Sequence, residues 1–92
     1  MNAAGRATIK AQAKRYQHAL QVSQGVLKDV IEELEALSDE EQEKFDNLSE
    51  GLQQSERGVK LEEAVEALDE LLDNLREQQD MDEVEFDEVL RL

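Results

Sequence analysis

No proline interrupts these 92 residues. From Ile9 onward, apolar side chains return at alternating steps of four and three: Ile9, Ala13, Tyr16, Leu20, Leu27, Val30, Leu34 and Leu37, with Ser23 alone breaking the seam. In an α-helix each residue advances about 100° around the axis, so this spacing lays one side chain above another on a single stripe. The chain is thereby committed to helices. The seam predicts a first helix from about residue 6 to residue 37, about 45 Å long. Val26 and Ile31 widen its stripe, and Gly25 sits in its interior, where glycine costs about 1 kcal/mol relative to alanine.

The following segment, ALSDEEQEKF, offers Ser38 as a helix N-cap and Glu41 three residues on as its reciprocal partner, a capping box. A second, short helix over about 39–50 follows, with Phe45, Leu48 and Leu52 covering one end of a longer bundle and Gly51 ending it. Ser55 is placed to cap a third helix over about 55–79. Its apolar seam is Leu61, Val65, Leu68, Leu72 and Leu75, broadened by Ala64 and Leu71. A connection of this length folds the chain back on itself, so the expected architecture is all-α: a long antiparallel helical hairpin with a short helix between its arms. Antiparallel pairing brings Lys10, Lys14 and Arg15 towards Glu70, Asp73, Glu77 and Asp80, each exposed pair being worth about 0.2–1 kcal/mol. Residues 1–79 then form the single domain. The remainder, 80–92, is an acidic and apolar tail whose Met81, Val84, Phe86, Val89, Leu90 and Leu92 fit neither helical nor strand period cleanly, as a frayed or short helix would.

So short a chain buries only about two thirds of the surface its unfolded form exposes. Its three aromatics are Tyr16, Phe45 and Phe86, which leaves a thin aliphatic core. Such chains gain stability from a partner, and two hairpins joined through Leu20, Leu27, Leu34, Leu61, Val65, Leu68, Leu72 and Leu75 make a homodimeric four-helix bundle. With no cysteine there is neither a disulfide nor a thiolate metal site, as suits a reducing compartment, and the cytoplasm is the expected location. No apolar run resembles a signal peptide or a membrane span.

Charge is distributed unevenly. Residues 1–28 carry five bases and no acid, whereas residues 29–92 carry all 24 acids and the other five bases, so a net of −14 divides into +5 and −19. Acid at this density disfavours direct nucleic-acid binding and favours a basic protein partner.

Catalytic and metal chemistry find little to work with. DNLSEGLQQSER, residues 46–57, has Asp46, Glu50 and Gly51 where a calcium loop would, yet Leu48 and Arg57 occupy positions that must donate oxygen. His18 is the one histidine, too few for a metal cluster or a Glu-x-x-His bundle site. The carboxylates lie opposite the apolar seams, where water keeps them ordinary, and Ser23, Ser38, Ser49 and Ser55 have no neighbouring histidine or nucleophile elbow. The chain is expected to be no enzyme and to hold no cofactor or metal.

One pattern stands out. Glu63, Glu66, Glu70, Asp73, Glu77 and Asp80 step by three and four along the third helix, opposite its apolar seam and with no lysine among them. Carboxylates about 5–6 Å apart approximate phosphates spaced about 7 Å along a nucleic-acid strand. Residues 38–75, SDEEQEKFDNLSEGLQQSERGVKLEEAVEALDELLDNL, also resemble a segment of small acidic helical proteins of bacteriophages and mobile elements in their DEEQE, following aromatic, LQ-x-SERG and EEA-x-x-AL. The resemblance covers about two fifths of the chain, carries no functional residue over, and implies a phage origin and an inhibitor of host machinery such as restriction or CRISPR complexes. Together these make the expected function non-enzymatic: binding and blocking a basic, nucleic-acid-handling host protein through the six acids, as a DNA mimic does. The alternative is an assembly or scaffolding factor acting through the helix seams, with the acids only maintaining solubility. A weaker third reading uses the basic first segment against nucleic acid or a membrane surface.

Overall fold

The computed structural model describes all of residues 1–92 and contains four helices: α1 (Ala3–Asp46), α2 (Glu50–Gln53), α3 (Glu56–Gln79) and α4 (Asp87–Leu90). α1 runs for 44 residues, about 66 Å, and α3 for 24 residues, about 36 Å. They pack antiparallel with α2 at the corner, so the fold is the expected helical hairpin, drawn out into a rod of 74 × 17 × 13 Å. No helix is long and apolar enough to cross a membrane.

α1 begins at Asn2, whose Oδ1 accepts from the Gly5 amide at 2.8 Å, one of the donors a helix start leaves unpaired. It does not stop at residue 37. Nothing in the ALSDEE stretch breaks a helix, and Ser38, expected as the cap of a new one, is buried in the middle of α1. Its Oγ donates to Asp69 Oδ1 across the hairpin at 2.9 Å. The intervening helix is therefore not 39–50 but the single turn α2, capped by Ser49. Gly51 lies inside that turn instead of ending it. The Gln53 amide nitrogen donates to the carbonyls of Phe45 and Leu48 at 3.2 and 3.3 Å, satisfying acceptors exposed where α1 ends. Asp46 closes α1, so residues 46–57 are a helix end, the single turn of α2 and a helix start rather than a calcium loop. Ser55 caps α3 as expected, accepting from the Gly58 amide.

The core is short and central. Ile31, Val65 and Leu72 are its buried apolar side chains, flanked by half-buried Leu27, Leu34, Leu61, Leu68 and Leu75. The seam of α1 differs from the heptad reading in its second half: Ile31 is 5% exposed and Val30 40%, and Ser38 is buried where Leu37 was expected. A straight helix drifts about 20° per heptad against a strict 3.5-residue repeat. Over the four heptads from Ile9 to Leu37 that drift nears one residue's rotation, and the inward position passes to the next residue.

α3 is too short to cover α1. Gln78 in its last turn lies against Ser23 and Leu27, so Lys14 stands about 14 Å further along α1. The expected pairing of Glu70, Asp73, Glu77 and Asp80 with Lys10, Lys14 and Arg15 does not occur. Residues 80–92 take that place, running from Met81 to Phe86 without regular structure before the single turn of α4. The Tyr16 and Phe86 rings meet at 5.5 Å. Tyr16 Oη accepts from the Val84 amide at 2.9 Å, and Arg6 Nη1 donates to the Leu90 carbonyl at 2.8 Å.

Gly25 lies mid-helix with open space where a side chain would stand. Gly25→Ala is expected to stabilise the protein by about 0.5–1 kcal/mol, since alanine narrows the unfolded ensemble and meets nothing in the folded one. Thermal unfolding followed by circular dichroism checks this, with a rise of about 4–8 °C per kcal/mol.

Candidate functional site

The six acids singled out along α3 all face solvent: Glu63, Glu66, Glu70, Asp73, Glu77 and Asp80 are exposed. They span about 26 Å of helix, and they lie there because the opposite stripe of α3 is occupied by Leu61, Val65, Leu68, Leu72 and Leu75 packing on α1. Those five, together with Leu20, Leu27 and Leu34, are all buried or half-buried, so the seam residues are engaged within one hairpin.

The surroundings deepen the acidity. α1 contributes Asp29, Glu32, Glu33, Asp39, Glu40 and Glu43, all exposed, to the same end of the rod. Four bases share that end, and three of them are spoken for by neighbouring acids. Lys44 Nζ lies 3.0 Å from Glu41 and 3.9 Å from Glu40, and the Glu41 hydrogen bond holds its ammonium pKa above the usual lysine range. Lys60 pairs with Glu56 at 3.1 Å. Arg76 bonds Glu35 across the hairpin at 3.0 Å, and that hydrogen bond keeps the guanidinium more firmly protonated than usual. Arg76 also reaches Asp73 at 3.4 Å. The row is thus not wholly free of positive charge: one of its six members has a cationic neighbour that the spacing of lysines did not reveal. Each of these pairs is exposed and fixes geometry more than it adds stability.

The other end is built differently. Lys10 and Lys14 share a groove with Glu83, Glu85 and Asp87 of the tail. Residues 1–28 carry +5, and residues 80–92, with six acids and Arg91, carry −5. The folded tail therefore cancels the basic segment, and the whole net charge of −14 belongs to residues 29–79. Local sequence reading could not find this, because the two segments adjoin only once α3 proves too short to separate them.

His18 is exposed on α1, and no cluster of histidine, aspartate and glutamate is placed to hold a metal ion. Fold and surface together define an all-α helical hairpin with one strongly acidic end. No protein-family model matches the chain, and no match is found among curated proteins or solved structures.

Proposed function

We propose that this protein is a non-enzymatic interaction protein that binds a basic, nucleic-acid-handling protein through the acidic face of α3 and blocks that partner's nucleic-acid surface. One observation carries the reading: all of the net charge of −14 resides in residues 29–79, where five of the six acids of the row stand exposed along one helix, with Asp80 at its C-cap completing it. A rigid helix holds those carboxylates in place before binding, so little ordering entropy opposes association. Their field raises the encounter rate with a cationic groove. Measured along the axis, the row's charge density, about one per 5 Å, is about two thirds that of a single nucleic-acid strand, which carries one phosphate per about 3.4 Å of rise. The resemblance of residues 38–75 to small acidic phage proteins points to a bacterial host cell as the setting and to a restriction or CRISPR-type complex as the target.

Reversal of Glu66, Glu70 and Asp73 to lysine tests the reading. Wild-type protein used as bait in bacterial lysate is expected to capture a nucleic-acid-binding protein at low salt and release it as ionic strength rises. The triple variant should lose that capture by about a hundredfold while keeping its helical circular dichroism. Undiminished capture by the variant would sink the proposal.

A further inference from the structure

The hairpin leaves one apolar strip uncovered. Val22, Val26, Val30 and Leu37 of α1 are exposed, Val26 the most among them at 58%. They stand about 100° round the helix from the buried seam. Val26 and Val30 line a groove of ≈ 520 Å³ together with Leu75 and Gln78 of α3. Leu71, 44% exposed, lies one turn before Leu75 on the same flank. The acidic row and the Glu35–Arg76 pair occupy the other flank, so the strip and the acids do not compete for one partner.

Area and charge identify what covers the strip. A compact monomer of 10.5 kDa exposes about 5,400 Å², whereas this chain exposes 7196 Å². The excess, about 1,800 Å², exceeds the roughly 800 Å² that each partner contributes to a standard interface. Charge along α1 is also split: residues 3–28 hold five bases and no acid, and residues 29–46 hold nine acids and one base. Two copies of α1 laid side by side in parallel would set the nine acids of residues 29–46 in one copy against the same nine in the other, with only the one base of each to offset them. Laid antiparallel about a two-fold axis near Val26 and Val30, they set Arg15 of one copy beside Glu40 and Glu41 of the other. Arg15 has no ion-pair partner within its own chain and donates only to Gln12 Oε1, at 3.1 Å.

We propose that Val22, Val26, Val30, Leu37 and Leu71 form a self-complementary contact through which two copies of this chain pack antiparallel along α1. The dimer differs from one built on the leucine seams, because those seams are closed inside each hairpin. It leaves both acidic rows facing outward.

Sedimentation equilibrium tests the contact. The wild-type protein is expected at 21 kDa, twice 10.5 kDa, falling towards the monomer mass on dilution. A Val26→Glu, Val30→Glu double variant places four carboxylates in one small interface, so association should weaken at least about a hundredfold. Both changes are at exposed helical positions, and unchanged circular dichroism separates lost association from lost folding. A wild-type monomer at every concentration, or a double variant that still dimerises, overturns the proposal. The Glu66, Glu70 and Asp73 reversals should leave the mass at 21 kDa, so failure of the acidic-face reading and failure of this one are told apart.

Orientation is read by cross-linking, since the chain has no cysteine of its own. Copies carrying Arg15→Cys mixed with copies carrying Glu40→Cys are expected to form a mixed disulfide in preference to either self-linked species. Preferential self-linking of Arg15→Cys would mean parallel packing and overturn the antiparallel arrangement.

Discussion

Alanine at position 58 is expected to unfold the corner of the hairpin, lowering stability by about 3 kcal/mol. Gly58 is buried in the first turn of α3, and a Cβ there would stand well inside van der Waals contact of the Gln53 and Leu52 backbone carbonyls. A clash with a flexible side chain is relieved by rotation. This one falls on backbone that is already committed, because Gln53 closes α2 and its side chain holds the carbonyls of Phe45 and Leu48. The methyl group can be admitted only by moving α2 away from α3, which also disturbs the Ser55 cap. Chemical denaturation gives the measurement, and Gly25→Ala is the control, being the same substitution where nothing crowds the site. An unfolding midpoint at Gly58→Ala equal to wild type would mean that the corner opens freely and contributes no rigidity.

Leu72→Ala is expected to cost about 2–5 kcal/mol. Leu72 is 2% exposed and lies within α3 against α1, in a core whose other buried apolar side chains are Ile31 and Val65. A chain of this size has about 5–14 kcal/mol of total stability, so one truncation removes a large part of the margin and lowers the melting temperature by about 10–25 °C. Alanine favours helix more than leucine does, so the loss reports packing alone. The neighbour Leu71 supplies the contrast. Leu71→Ala should change the unfolding of dilute protein by less than about 1 kcal/mol, since that side chain already faces water. Equal losses at 71 and 72 would show that the hairpin is not packed in the register described.

The periodicity of apolar residues made the helices and their antiparallel return legible, and the Ser55 cap was legible as well. What escaped was decided at long range. Ser38 has the local grammar of a cap, and its true partner, Asp69, stands on the other arm of the hairpin. Val30 and Leu37 satisfy a heptad repeat that only a supercoiled helix obeys; a straight one turned Ile31 and Ser38 inward. The length of α1 was underestimated by following that cap, and with it the reach of α3, so the basic segment was assigned to acids that never approach it. The exposure of the acidic row was readable from spacing alone, because a helix with a leucine seam on one side must turn its opposite side to water. Arg76 beside Asp73 was readable too, being three residues along the same helix, but only a count of arginines as well as lysines would have shown it.

Cancellation of the basic segment by the tail gives the rod an electrical polarity along its length. Beyond a Debye length, about 8–10 Å in physiological salt, the shaft made by residues 1–28 and 80–92 has no monopole field, and the hairpin tip carries the whole of it. A single hairpin, charged at one end, experiences a torque as well as a pull in the field of a cationic surface. It therefore arrives tip first, with the orientation of the encounter settled before any side chains touch.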